Sequence, residues 1–197
     1  MPDKQEQSLR FETLAVRAGQ HRTAEAEHAE PIFPTSSYVF ESAAAAAARF
    51  SGEQPVNIFS RFTNPTVRTF EQRLAAMEGG ASCVATASGM AAILATCMGL
   101  LQTGDRILAS RSLFGSTTML FDKYMSRFGI GTDYVALSDL DAWECALTDK
   151  TRLLFIETPS NPLLDIVDIR AVAELGRKNN ITTIIDNTFA SPINQNP

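Results

Sequence analysis

Apolar and polar positions change rhythm once along the chain. Up to residue 60 they keep no steady period: a charged start leads into EPIFPTSSYVF at 30–40 and then the alanine run ESAAAAAARF at 41–50. Prolines and the missing alternation predict an extended arm with one short helix near 41–50, since alanine is the strongest helix former. From residue 61 the pattern turns regular. Asn64 before Pro65 predicts an N-cap with proline at the first helical position. Val67, Phe70, Leu74 and Met77 then recur at helical spacing, and Gly79–Gly80 ends the run. SCVATA at 82–87 predicts a strand, and SGMAAILATCMGLL at 88–101 a helix.

The alternation continues. RILAS at 106–110, a segment near 133–137, TRLLFIE at 151–157 and ITTIID at 181–186 predict further strands. A helix is predicted over 114–128 with Leu120, Tyr124 and Phe128 on one face. Another follows a Ser138/Asp141 capping pair and carries Leu140, Trp143 and Leu147, and a third runs from a cap at Asp168 through Lys178. Strands alternating with helices of about 10–15 residues imply an α/β fold, a mostly parallel sheet with helices on both faces. The resulting organisation is an arm over 1–60 and a domain over 61–197.

Composition narrows the function. At 197 residues and 45% hydrophobic, the chain can bury one core of ordinary size. Its net charge is −5, from 17 basic and 22 acidic residues, and the basic ones are scattered, which argues against nucleic acid or an acidic membrane as partner. The longest apolar run, 90–101, is too short to span a bilayer, and the polar first thirty residues carry no secretory signal pattern. A cytoplasmic protein is expected. Cys83, Cys97 and Cys145 sit at no metal-like spacing and predict buried free thiols. His21 and His28 lie seven apart, not at HxxxH spacing, so no metal is expected.

In an open parallel sheet, ligands bind beyond the carboxyl ends of the strands. Small, polar and acidic residues collect at that rim: Ser88–Gly89–Met90, SLFGST, Glu157 before TPSNP, and Asp186–Asn187–Thr188. The Ser88–Gly89–Met90 turn suits an anion, because the first N–H groups of a helix lack partners and carry partial positive charge. A plain serine N-cap accounts for the same residues. Asp186 closes a buried strand, where a carboxylate needs a cation or N–H donors; an ordinary cap or internal ion pair is the alternative. Other templates fail. GIGTDY at 129–134 lacks the third glycine of GxGxxG, GxxxxGK[ST] is absent, and ATASGMA is not GxSxG.

Together the strings SRFTNPT, ATASGM, SLFGST, ETPSNP and IIDNT, in this order and spacing, resemble the pyridoxal-phosphate enzymes of Cys/Met metabolism. Within that family, TLAVRAGQ, GEQP, TNPTVRTFE and SRSLFGSTTMLFDKY are most similar to the O-succinylhomoserine sulfhydrylase branch. The resemblance runs from about residue 11 and covers the N-terminal half of a family member. It implies a partial fold-type-I large domain, pyridoxal 5'-phosphate as cofactor, and the joining of sulfide to O-succinylhomoserine with loss of succinate. Cystathionine γ-synthase and methionine γ-lyase activities share every motif quoted, and a non-catalytic fragment is the alternative of another class.

The resemblance also implies residue roles. Ser88, Gly89 and Met90 would hold the cofactor phosphate, joined by Arg61 from a neighbouring subunit of a homodimer or homotetramer. Phe114 would stack on the pyridine ring and Asn161 would bond its O3′ oxygen. Asp186, with Thr188 beside it, would pair with the protonated ring nitrogen. Core packing, a solvated charge and a simple turn are the ordinary alternatives for Phe114, Arg61 and Asn161–Pro162. Two departures stand out. Phe59 occupies a position where relatives usually carry tyrosine, and none of Lys4, Lys123, Lys150 and Lys178 sits in the motif of the family's Schiff-base lysine, which is expected beyond the equivalent of Pro197.

Overall fold

A computed structural model of the chain describes residues 9–54 and 56–197, so Lys4 and the proline of the GEQP segment lie outside the described residues. The chain forms two compact units that meet between Ala85 and Thr86 in sequence.

Among its described residues the first unit carries three helices: α1 (Phe11–Arg17), α2 (Ala43–Phe50) and α3 (Pro65–Glu78). The alanine run forms α2 as expected, with the Ser42 hydroxyl accepting from the Ala45 N–H. α1 was not legible in the apolar rhythm: none of its residues is buried. Asn64 caps α3 through the Thr66 N–H, Pro65 takes the first turn, and Gly79 ends the helix in the left-handed region at φ 65°. The expected apolar stripe of α3 is not its inner face, for Val67 and Phe70 are exposed while Thr69 is buried. The reason lies in how closely the chain after α1 approaches: a Cβ at Gly19 would stand 2.7 Å from the Gln72 Cβ and 2.9 Å from the Thr69 carbonyl. Gly19 adopts φ +71°, which together with that contact admits only glycine.

The second unit is a four-stranded sheet in the order β2-β1-β3-β4, with β1 (Arg106–Ser110), β2 (Gly131–Val135), β3 (Thr151–Glu157) and β4 (Thr182–Asp186). All three pairings are parallel. Helices α4 (Gly89–Leu100), α5 (Gly115–Met119), α6 (Leu140–Cys145), α7 (Ile169–Lys178) and the short α8 (Ser191–Asn194) follow the strands and loops. Successive side chains of a strand point to opposite faces. Ile107, Ala109, Leu153 and Phe155 accordingly pack with Cys97, Leu113, Phe121 and Met125 in one core cluster. Leu108, Leu154 and Ile156 pack on the other face with Trp143, Val167 and Val172. Apolar burial on both faces is what makes β3 an unbroken apolar run.

Five further expectations need correction. Residues 82–86 form no strand and pair with none among the described residues; Val84 is exposed, so the segment has neither the burial nor the hydrogen-bonding neighbour that a strand needs. The helical run after Phe114 buries Leu120, Phe121 and Met125, leaving Tyr124 and Phe128 exposed. A π-helical turn at Leu120–Tyr124 followed by a 3₁₀ turn at Met125–Phe128 shifts the inner face away from the four-residue rhythm. Asp139, not the Ser138/Asp141 pair, caps α6 by accepting from the Ala142 N–H, and β2 lies two residues earlier than expected. Among the free thiols only Cys97 is buried; Cys83 is half-buried and Cys145, at the end of short α6, is exposed. No helix among the described residues is long and apolar enough to cross a membrane.

Candidate active site at the carboxyl rim of the sheet

Parallel pairing places Ser110, Glu157 and Asp186 at the carboxyl ends of β1, β3 and β4, with Glu157 and Asp186 in direct register. The loops that leave this rim carry Phe114, Asn161 and Thr188, while Ser88, Gly89 and Met90 open a helix that follows no strand of the sheet.

Ser88 is the N-cap of α4, its hydroxyl accepting from the Ala91 N–H at 3.1 Å. Gly89 and Met90 occupy the first two helical positions, where N–H groups have no intrahelical acceptor. A Cβ on Gly89 would meet nothing within 4 Å, so protein packing does not require glycine there and the approach to those N–H groups is open. Met90 packs its side chain against the core cluster that contains Leu113. The serine cap and the anion-binding reading are therefore compatible: the hydroxyl satisfies one amide and leaves two.

Phe114 follows β1 and presents a 44%-exposed ring, more open than a core phenylalanine. Its N–H donates to Glu157 Oε2 at 2.6 Å. The other carboxylate oxygen, Oε1, accepts from the Asn161 N–H at 2.9 Å. Asn161 belongs to a loop tied down by its own polar groups. The Asp165 N–H donates to Ser160 Oγ at 3.0 Å, and the Val167 N–H donates to Thr158 Oγ1 at 3.2 Å. The Asn161 amide side chain is in none of these bonds.

Asp186 Oδ1 accepts from the Thr188 N–H at 3.1 Å and from the Thr188 hydroxyl at 2.5 Å. No basic side chain among the described residues forms an ion pair with Asp186. The internal salt bridge that could have explained this aspartate is thus missing, while the local Asx-type cap is present. The Gln195 side-chain amide donates to Asn187 Oδ1 at 2.7 Å and to the Thr158 carbonyl at 2.6 Å, and the Asn187 amide donates to the Gln195 backbone carbonyl at 2.9 Å. This clasp fixes the chain after β4 against the loop that carries Asn161. Sequence reading missed Gln195, because nothing local marks a partner eight residues away.

Arg61 lies in the first unit, exposed and without an acidic partner among the described residues. Its turn is held from both sides. Phe59 forms an antiparallel bridge with Ser37, the Ser60 hydroxyl donates to the Thr35 carbonyl, and the Asn64 amide donates to the Phe33 carbonyl at 3.0 Å.

Free amides for an anion, an open aromatic face and a carboxylate awaiting a cation suit the class of α/β enzymes that hold a charged heterocyclic phosphate. The chain matches the sequence model of the Cys/Met metabolism PLP-dependent enzymes over residues 12–197 and belongs to that family, whose cofactor is pyridoxal 5'-phosphate. It is 60% identical to an O-succinylhomoserine sulfhydrylase of Pseudomonas aeruginosa, over 95% of this chain and 46% of the relative. It is 40% identical to an L-methionine gamma-lyase of Fusobacterium nucleatum, over 94% of this chain and 47% of that one. A Campylobacter jejuni crystal structure described as an O-acetylhomoserine (thiol)-lyase, carrying a pyridoxyl-lysine phosphate, superposes with a TM-score of 0.89 at 35% identity, over 94% of this chain and 46% of the other. The chain spans about half the length of the relatives it matches.

Proposed function

We propose that the full-length protein joins sulfide to O-succinylhomoserine, releasing succinate and homocysteine for methionine biosynthesis in the cytoplasm. The observation that carries the cofactor half of this reading is the charge pattern of the second unit: two free N–H groups at the start of α4, and an Asp186 with no basic partner among the described residues. The substrate half is supported by the 60% identity to an O-succinylhomoserine sulfhydrylase. Residues 1–60 act as an arm and 61–197 as part of the cofactor domain, in a homodimer or homotetramer.

In this reading Gly89 and Met90 donate backbone N–H groups to the phosphate, with Ser88 fixing the turn and Arg61 of a neighbouring subunit adding charge. Phe114 covers one face of the ring, and the Asn161 amide donates to O3′. Asp186 holds a proton on the ring nitrogen, its orientation set by the two Thr188 bonds. Bound there, pyridoxal phosphate supplies an electron sink for negative charge developing at the substrate. Replacing Asp186 by Ala in the full-length protein should weaken cofactor binding about tenfold or more, the scale of losing a bond between charged groups; spectroscopic titration measures it. Assays of the same protein with O-succinylhomoserine plus sulfide, plus cysteine, and with methionine alone decide among the family's reactions. Faster turnover with cysteine or methionine would overturn the sulfhydrylase assignment.

A further inference from the structure

Glu157 stands out as a carboxylate placed where the solvent cannot help it. It is 5% exposed, no basic side chain among the described residues pairs with it, and its strand neighbour at the rim is another carboxylate, Asp186. Burial pushes its pKa up and Asp186 adds to the rise, while the N–H groups of Phe114 and Asn161 oppose it. Sequence position alone gives such a residue no task.

Its two bonds do. The N–H of Phe114, 43 positions upstream, and the N–H of Asn161, 4 positions downstream, converge on separate oxygens of this one group. A carboxylate presents two acceptor oxygens in one rigid plane, and bonds to a charged acceptor are short and strong. Resting on the cofactor reading given above, we propose that Glu157 is a positioning residue: it fixes the spacing between the Phe114 ring and the Asn161 amide, and so shapes the slot that orients the pyridine ring. Glutamine cannot replace it, because one of its two arms is a donor and would face an N–H. Aspartate keeps the charge but is shorter by one methylene, and reaches one amide at the expense of the other.

The test uses full-length protein reconstituted with pyridoxal phosphate, as wild type, Glu157→Gln, Glu157→Asp, Asp186→Ala and Ile156→Val. Ile156 is fully buried in the neighbouring position of β3, in the core cluster with Leu154 and Val172, and its apolar side chain accepts no hydrogen bond, so its variant reports loss of packing alone. Three quantities are read: the cofactor dissociation constant, the induced circular dichroism per bound cofactor, and the thermal midpoint. Glu157→Gln should raise the dissociation constant about tenfold, the scale of one lost charge-assisted bond, and reduce the induced dichroism. Ile156→Val should lower the midpoint and leave both cofactor signals as in wild type. If Glu157→Gln does not fold, Glu157→Asp carries the same expectation. Wild-type affinity and dichroism in the Glu157 variants, with Asp186→Ala weakened, would overturn the positioning role while the cofactor reading stands. An unweakened Asp186→Ala would overturn both.

Discussion

Phe59 sits two residues before Arg61, on a turn that the Ser37 bridge and the Asn64 amide hold in place, and its ring is 39% exposed. A tyrosine there would add one hydroxyl donor next to the arginine proposed to meet the phosphate. Phe59→Tyr in the full-length protein is therefore expected to tighten cofactor binding by about 1–3 kcal/mol, and equal dissociation constants would refute it. Glu157 offers a different test. Its raised pKa means that the folded state keeps the proton to higher pH than the unfolded chain does. The stability this contributes is complete below the ordinary glutamate value and is lost as pH rises through the raised one. Urea unfolding should thus show the wild type losing stability relative to Glu157→Gln as pH rises above the ordinary glutamate value; a constant difference would contradict the assigned burial effect. Several residues whose partners are close in sequence were legible from the start, although the cap of α6 was misplaced by one position. Ser88, Asn64 and Asp168 all cap the helices they were expected to cap, within three positions. Glu157 was visible only as a polar strand end, because one of its partners is 43 positions away.

Helix α7 shows how an element places a rim residue it does not contain. A Cβ at Gly176 would stand 2.5 Å from the Thr183 hydroxyl and 2.9 Å from the Ile181 carbonyl, so α7 and β4 meet almost backbone to backbone. β4 carries Asp186, and its seating depends on that contact. Gly176→Ala should destabilise the fold by about 1–3 kcal/mol, the usual range for overpacking, despite alanine's better helix propensity. An unchanged unfolding midpoint would show that the contact yields without cost. Strands β1 and β3 and helix α7 were readable in full, since each is an uninterrupted pattern with its own start and stop signals. The π-helical turn at Leu120–Tyr124 was not, because the local widening changes which side chains face inward without changing their apolar character. Residues 82–87 were read as a strand and form none, for pairing is a property of the neighbour and not of the segment.

At the scale of the molecule, the sheet separates a rigid interior from its margins. β1 and β3 are paired on both sides and buried on both faces, whereas β4 is paired on one side only among the described strands. Hydrogen exchange should find the slowest amides in β1 and β3 and much faster ones in β4, with protection graded from the centre outward. Uniform protection across all four strands would mean that β4 has a partner in solution. The fold class was legible because it follows from alternation alone; the division between Ala85 and Thr86 was not, because no shift in composition marks it. The two-faced sheet has a further consequence. Its stability is invested in side chains along the strands, and its candidate site residues stand at or past the strand ends, where Glu157, Thr158 and Gln195 tie the loops together. Loops so tethered can exchange individual residues while the layers beneath them stay unchanged, which gives evolution a way to alter what the rim recognises without redesigning its foundation.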